Sequence, residues 1–188
     1  MRTIVTALRV SIVMMLVCGL IYPLVTTGFA QVLFPKQADG SLMEAADGTV
    51  TGSELIAQGF ESPKLFHPRV SVAKFDPTAT VGSNRAVATE DYVKEIGKNV
   101  DAVKAENPGM TDVPADLVTS SGSGFDPDLS PEAAKAQVSR ISKATGLSAD
   151  ELNRLIDDTV KSRQLGIFGE PRVNVNALNE ALLQRIKL

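Results

Sequence analysis

The chain has 188 residues, of which 44% are hydrophobic and 22% are charged, and its net charge is −3. This composition is typical of a folded protein and excludes collagen-like and disordered classes. From Lys36 onward the chain holds 17 basic and 22 acidic residues, and an acidic domain without a basic stripe is not typical of nucleic-acid binding. Cys18 and His67 are the only residues of their kinds, which argues against an internal disulfide and against a zinc site of cysteine and histidine.

An apolar segment near the N-terminus predicts one transmembrane helix. Residues 10–34 contain no charged side chain and would reach roughly 37 Å as a helix, enough to cross about 30 Å of hydrocarbon. We expect Pro23 to kink this helix. Arg2 and Arg9 precede the segment and only Lys36 closely follows it, so the positive-inside rule predicts a cytoplasmic N-terminus and an outer domain.

Two alternatives to a permanent span are less well supported. A cleaved signal peptide could have its site at residues 28–30, but the apolar run continues to Phe34. A lipid anchor on Cys18 would need a small residue before it, whereas Val17 stands there. We therefore expect a cytoplasmic segment at 1–9, a transmembrane helix at 10–34, a linker at 35–47 and a globular extracytoplasmic domain at 48–188.

The outer domain is predicted to be one mixed α/β (α+β) domain, helix-rich in its C-terminal half. The first half predicts a strand at 49–51, one or two helical turns at 53–58, an irregular stretch at 61–88, a helix from the cap Thr89 to Asn107, and a strand at 117–119. The second half predicts a helix from Ser130 to Gly146, another from the capping box Ser148–Glu151 to about Leu165, a short strand or cap at 173–175, and a final helix along Leu178, Leu182 and Ile186.

The most distinctive motif is the serine–glycine loop at 120–124. A strand, a glycine loop and a helix in this order can bind phosphate through loop amides and the helix N-terminus. However, no Gly-Lys-Ser/Thr follows, and Pro127 stands where a dinucleotide fingerprint requires glycine. The simpler interpretation is a tight turn before a capped helix, with Gly122 at positive φ. Binding of a nucleotide or another anion is the alternative.

Two other polar patterns favour ordinary structural roles. Asp126 and Asp128 resemble the start of a calcium loop, but Pro131 replaces its glycine and Gln137 its glutamate, so turn and cap roles are favoured. Glu170 and Arg172 flank a proline, which favours a local ion pair over a partner-docking surface.

Hydrolase patterns are also weak. Ser71 and Lys74 match Ser-x-x-Lys, but no Lys-Thr-Gly follows. Ser123, His67 and Asp126 could form a triad, but the Gly-x-Ser-x-Gly elbow is missing. We expect no catalytic residue and no metal site in this chain.

Six segments with distinctive motifs are spread along the chain: Gly52-Ser-Glu-Leu-Ile-Ala-Gln-Gly-Phe60, Phe66-x-x-Arg69, Gly82-Ser-Asn84, Val113-Pro-x-Asp-Leu-Val-Thr-x-Ser-Gly-Ser-Gly-x-Asp-Pro127, Gln137-Val-x-Arg140, and Gly169-Glu-Pro-Arg-Val-Asn-Val-x-x-Leu-Asn179. In this order they resemble the C subunit of the Kdp-type potassium-transporting P-type ATPase. The chain departs from the family pattern at Val70, Val81, Phe125, Asp128 and Asn176.

The resemblance implies a non-catalytic subunit of an ATP-driven, high-affinity potassium uptake complex in the bacterial inner membrane. Its implied partners are a potassium-pore subunit, a P-type pump subunit and membrane lipid, with a small fourth membrane peptide as an optional member. The family subunit is needed for assembly and is described as a catalytic chaperone that raises the ATP affinity of the pump subunit. The resemblance places nucleotide contact at Ser121, Gly122, Ser123, Gly124 and Gln137.

Direct nucleotide contact conflicts with the predicted topology, because ATP is cytoplasmic and the charge bias places the loop outside. Coupling between distant sites would resolve the conflict without a tightly bound cofactor. We expect partner docking at Arg69, Asp126, Asp128, Glu170, Arg172 and Asn174. The alternative functions are a membrane-anchored extracytoplasmic binding or sensor module unrelated to transport, and an anchored hydrolase using Ser71 or Ser123.

Overall fold

The computed structural model describes residues 1–45 and 47–186. The chain divides into two compact units, Met1–Thr51 and Gly52–Leu188. Residue 46 of the predicted linker and residues 187–188 of the predicted domain lie outside the described residues.

The first unit begins with a continuous helical stretch from Arg2 to Leu33. It comprises α1 (Arg2–Leu16), a π-helical turn (Val17–Ile21) and α2 (Tyr22–Leu33), and none of its residues is buried within the protein. With 32 residues and a mean hydropathy of 2.4 in its most apolar part, the stretch is long and apolar enough to cross a membrane. The helix therefore starts before Val10, where we expected the span to begin.

The π-helical turn is located where Pro23 disturbs the helix. Pro23 lies in the first turn of α2 and has no N–H to donate to the carbonyl of Gly19. The structure accommodates this loss by widening the preceding turn while the chain stays helical to Leu33.

The predicted linker contains regular structure. The short helix α3 (Pro35–Ala38) follows the span, and strand β1 (Leu42–Glu44) pairs with β2 (Val50–Ser53). Gly48 adopts a φ of 81° in the turn between the strands, which suits glycine. The strand predicted at 49–51 is confirmed, and the segment predicted as a linker contains a short helix and a strand.

The second unit is organised around four C-terminal helices and a two-stranded sheet. The helices are α5 (Pro131–Ala136), α6 (Val138–Thr145), α7 (Ala149–Thr159) and α8 (Val175–Arg185), and β3 (Asp128–Leu129) pairs antiparallel with β4 (Val173–Asn174). The buried apolar core consists of Phe66, Leu117, Leu129, Ala133, Ala134, Val138, Ile141, Leu152, Leu155, Ile156, Val173, Val175, Leu178 and Leu182.

Polar side chains define the starts of three of these helices. The hydroxyl of Ser130 accepts the amide of Ala133 at 3.1 Å, and Ser148 and Glu151 form the predicted capping box before α7. Asn174 ends β4 and caps α8 by accepting the amide of Ala177 at 3.0 Å. These caps satisfy amides that have no partner inside a helix, and they confirm the predicted starts.

Helix α4 (Glu90–Glu106) confirms the prediction for this region and begins after Thr89. Val103 packs against the core, whereas Val93 is 59% exposed. The predicted apolar stripe is therefore only partly covered within the chain.

Other predicted elements are wrong. Residues 53–58 contain no helix, since Ser53 ends β2 and only 54–55 form a turn, and a 3₁₀ turn (Ala115–Leu117) replaces the strand predicted at 117–119. The helix from Ser130 to Gly146 is interrupted at Gln137, and α7 ends at Thr159 rather than near Leu165.

Side-chain amides hold the irregular segment that precedes α4. Asn179 accepts the amide of Phe66 at 2.8 Å and donates to its carbonyl at 2.9 Å. Gln137 does the same for His67, accepting the amide at 2.8 Å and donating to the carbonyl at 3.1 Å. Two consecutive residues thus receive from side chains the pairing that a neighbouring strand would supply, and the Phe66 side chain enters the core with no exposed surface.

The buried guanidinium of Arg140 adds further hydrogen bonds to the same segment. It donates to the carbonyls of Pro63 at 2.7 Å and Leu65 at 2.9 Å, to Oδ1 of Asn107 at 3.0 Å, and to Oε1 of Gln137 at 2.7 Å. Burial lowers the pKa of Arg140, although the charge of nearby Glu106 opposes this shift.

Two more amides fasten the chain further upstream. Nδ2 of Asn174 donates to the carbonyl of Glu54 at 2.7 Å, and Nδ2 of Asn176 donates to the carbonyls of Ser53 at 2.9 Å and Ile56 at 2.7 Å. Asn176 therefore anchors the backbone of this upstream segment.

We predict that Gln137→Leu lowers the free energy of unfolding by at least about 3 kcal/mol. The substitution preserves side-chain size but leaves both backbone groups of His67 and one Arg140 donor unpaired, at about 1–3 kcal/mol for each buried group. Gln184→Leu makes the same chemical change on the exposed side of α8 and should change stability by no more than about 0.5 kcal/mol. Denaturant unfolding of the full chain in mild detergent measures the stability of both variants. Equal losses would contradict the role of Gln137 in holding the backbone of His67.

Candidate functional site

The serine–glycine loop lies against two other irregular segments of the second unit. Val70 and Ser120 form an isolated parallel bridge, and the amide of Val81 donates to the carbonyl of Ser123 at 3.2 Å. The amide of Ala57 donates to the carbonyl of Phe125 at 2.8 Å. Backbone contacts on both sides therefore hold the loop in the domain.

The hydroxyls of Ser121 and Ser123 in the loop are engaged in local hydrogen bonds. Ser121, which is buried, accepts the amide of Gly124 at 2.9 Å, and Ser123 accepts the amide of Phe125 at 3.3 Å. The hydroxyl of Ser71 donates to the carbonyl of Gly124 and accepts the amide of Phe75 at 2.9 Å. This pattern forms a closed turn in which these side chains have internal partners.

The glycines permit close approach of backbone segments. A Cβ on Gly124, which has a φ of 83°, would lie 2.8 Å from the carbonyl oxygen of Val81 and 2.9 Å from the Cβ of Ala73. A Cβ on Gly82 would lie 2.8 Å from the carbonyl oxygen of Gly122, whereas a Cβ on Gly122 itself would meet no atom within 4 Å. The expectation that Gly122 has positive φ is wrong, because Gly124 is the loop residue with that conformation.

Gln137 is engaged elsewhere. Its side chain is almost completely buried and bonds to His67, Ala133 and Arg140. None of the hydrogen bonds described for this side chain reaches the serine–glycine loop. The structure therefore gives the nucleotide candidates at 121–124 and Gln137 two separate structural roles.

The charged docking candidates form two ion pairs beside the loop. Arg69 contacts Asp126 at 3.2 Å and donates to the Thr119 hydroxyl at 3.3 Å. Arg172 contacts Asp128 at 2.9 Å. Each aspartate faces an arginine, which offsets its negative charge.

Glu170 and Arg172 do not pair with each other as the sequence suggested. Glu170 contacts Arg163 at 3.0 Å, whereas Arg172 contacts Asp128. Burial raises the pKa of the Asp128 carboxyl, against the opposing effect of the Arg172 charge. Asp128 lies opposite Asn174 in the β3–β4 pair, so Asp128, Arg172 and Asn174 form one cluster.

The hydrolase constellations are not assembled. His67 contacts Oε2 of Glu106 at 3.1 Å and the carbonyl of Ser62 at 3.0 Å, so its two ring nitrogens face these groups rather than Ser123 or Asp126. Among residues 1–45 and 47–186, no group of three or more histidine, cysteine, aspartate or glutamate residues could hold a metal ion.

An open cleft of about 230 Å³ lies beside α4, and sequence reasoning missed it. Its wall combines apolar groups such as Phe60, Phe75 and Leu117 with the polar groups of Arg69 and Glu106. Nε of Arg69 is buried and has no hydrogen-bond partner among the described residues. The cleft is formed by residues distant in sequence, so no local motif marks it.

We predict that Gly124→Ala lowers the free energy of unfolding by about 1–3 kcal/mol, because it combines left-handed strain with contacts too close for a methyl group. Gly122→Ala is the matched control and should stay within about 0.5 kcal/mol of the parent. Thermal unfolding of both full-length variants in detergent measures the difference. A larger loss for Gly122→Ala would contradict this account of the loop.

Comparison with known proteins identifies the family. The family described as "KdpC: K+-transporting ATPase, c chain" matches residues 4–184. Proteins named "Potassium-transporting ATPase KdpC subunit" are 45% identical over 182 residues in Caldanaerobacter subterraneus subsp. tengcongensis and 46% identical over 186 residues in Geobacter sulfurreducens. These alignments cover 96% and 97% of this chain, and 94% and 97% of the respective relatives. The chain belongs to the KdpC family of K+-transporting ATPase c chains.

Proposed function

We propose that this chain is a non-catalytic subunit of an ATP-driven, high-affinity potassium uptake complex in the bacterial inner membrane. It assembles with a potassium-pore subunit and a P-type pump subunit, with a small fourth membrane peptide as an optional partner. The family match over residues 4–184 supports the transport assignment, and the apolar helix Arg2–Leu33 supports a single-pass anchor in membrane lipid. An unrelated binding or sensor module is less well supported, because the relatives named as ATPase subunits align over nearly the whole chain.

We further propose that the chain raises the ATP affinity of the pump subunit without contacting ATP. The observation that carries this proposal is the internal bonding of the nucleotide candidates: Ser121 binds the amide of Gly124, and Gln137 binds the backbone of His67. A serine and a glutamine used in this way support a structural role. The effect on ATP is then a coupling free energy transmitted through the assembled complex.

The proposed orientation follows from the charges flanking the span. Arg2 and Arg9 lie in the first part of the helical stretch, whereas Lys36 is the one basic residue just after it. This bias favours a cytoplasmic N-terminus and an extracytoplasmic domain. That orientation would separate the serine–glycine loop from cytoplasmic ATP.

We predict that Gly122→Asp leaves the KM of the complex for ATP within about twofold of the parent value. Gly122 is exposed and has open space for a side chain, so the substitution adds a negative charge with little strain. If phosphates bind this loop, the added carboxylate would repel them and raise the KM at least several-fold. ATPase assays on the purified complex measure this effect.

The ATPase experiment includes two controls. Gly122→Ala separates side-chain volume from charge, and the pump subunit purified alone gives the KM in the absence of coupling. A KM that rises for Gly122→Asp but not for Gly122→Ala would overturn the indirect mechanism. A pump subunit whose ATP affinity is the same alone as in the complex would contradict the chaperone proposal itself.

We predict that cysteines introduced at exposed positions of the second unit react from outside intact spheroplasts. The background is Cys18→Ser, since Cys18 is the only native cysteine, and the test variants are Lys98→Cys and Lys143→Cys, both at exposed residues. Ser121 is unsuitable because its side chain is buried.

A membrane-impermeant maleimide is the probe, and a sample denatured before labelling controls for thiols covered by a partner. Labelling without lysis supports the proposed topology. Labelling only after the membrane is opened would place the second unit in the cytoplasm and make direct contact with ATP the simpler mechanism.

A further inference from the structure

A short hairpin projects from the second unit between α7 and β4. We call residues 161–172 the 161–172 hairpin. The amide of Lys161 donates to the carbonyl of Arg172 at 2.8 Å, and the amide of Arg172 donates back at 3.0 Å. Nearer the tip, Gln164 and Phe168 exchange backbone hydrogen bonds of 2.9 and 3.0 Å. The segment is therefore an ordered hairpin.

The tip of this hairpin carries three large apolar side chains on the outside of the protein. Leu165 is 88% exposed, Ile167 is 72% exposed and Phe168 is 62% exposed. Such a dense group of exposed apolar residues in a folded domain is typical of an interaction site.

The backbone at the tip adopts a conformation that is unfavourable for one of these residues. Leu165 has a φ of 53°, in the left-handed region that branched apolar residues rarely occupy. Gly166 follows with a φ of 75°. A strained residue that is also exposed gains nothing from packing within the chain, which indicates a role outside it.

We propose that the tip of the 161–172 hairpin inserts into an apolar pocket on a neighbouring protein subunit of the potassium-transporting ATPase. This inference rests on the proposed function, which supplies a multi-subunit complex as the partner. Leu165, Ile167 and Phe168 are the anchoring residues, and the pocket is apolar at its base.

The charged residues near the base of the hairpin indicate that the tip binds a protein pocket rather than the lipid surface. Arg163 pairs with Glu170, and Arg172 pairs with Asp128, so two of the three nearby basic residues already have anionic partners. Binding to anionic lipid gains from basic residues that are available to headgroups. A tip held in one conformation instead suits a shaped pocket, because less conformational freedom is lost on binding.

The charged residues near the base of the hairpin also indicate which charge the rim of the pocket carries. Arg163 and Arg172 are paired with Glu170 and Asp128, and Lys161 has no ion pair among the described residues. Its positive charge complements a pocket with an acidic rim.

The triple variant Leu165→Ser/Ile167→Ser/Phe168→Ser tests the proposal in the whole complex. It should weaken association with the other subunits at least about tenfold, because the gain from burying three apolar side chains is lost. The matched control Val87→Ser/Val93→Ser changes two other exposed apolar residues and should leave association within about twofold. Affinity capture of the tagged full-length chain from mild detergent, with the ATPase subunits quantified by mass spectrometry, measures this loss, and thermal unfolding checks that each variant is folded.

A second measurement identifies the occupant directly. A photoreactive phenylalanine analogue, p-benzoylphenylalanine, replaces Phe168 in one variant and Val87 in another, and the assembled complex is irradiated in native membranes. A crosslink from position 168 to an ATPase subunit supports the proposal. A crosslink to lipid alone, no crosslink in an intact complex, or equal weakening by the triple variant and its control overturns it. If the parent chain captures no ATPase subunit, the proposed function itself fails.

Discussion

The second unit depends on side-chain hydrogen bonds that replace a missing strand. The chain between β2 and α4 has little regular structure, yet it places Phe66 in the centre of the core. Buried backbone groups require partners, and here Asn179 and Gln137 supply them to Phe66 and His67. Arg140 then binds the carbonyls just before Phe66. Without these contacts the segment would have to leave the core or bury unpaired amides and carbonyls, and both alternatives are costly.

The elements that were predictable are those specified by local chemistry. The capping box at Ser148, the serine cap at Ser130 and the acidic first turn after Thr89 identified the starts of three helices. Prediction from local chemistry failed where an apolar run is compatible with more than one kind of secondary structure. Leu117 and Val118 resemble a buried strand, but they enter the core from a 3₁₀ turn. Helix α7 ends at Thr159, because Val160 adopts an extended conformation. No glycine or proline stands at that point in the sequence to predict the end of the helix.

The sequence singled out the residues of the candidate site, but it did not predict the structural role of each residue. Sequence motifs singled out Ser121, Gly124, Gln137 and Asn174, and each has a defined position in the structure. Their roles arise from contacts across long stretches of chain: Gln137 meets His67 across 70 positions, and Asn174 meets Glu54 across 120. A polar motif that folds the chain and one that binds a ligand can look alike in sequence. They differ in whether their donors and acceptors are already used.

This distinction also separates folding residues from recognition surfaces in the second unit. Polar side chains suggestive of nucleotide contact have internal partners, and Asp126 and Asp128 face arginines. The tip of the 161–172 hairpin has the opposite character, since Leu165 and Ile167 are largely exposed on an ordered backbone. An accessory subunit that acts by position needs surfaces of this second kind, because it must bind its partners firmly to change their properties. The mode of action proposed here is therefore apolar anchoring of an ordered hairpin rather than polar capture of a nucleotide by a loop.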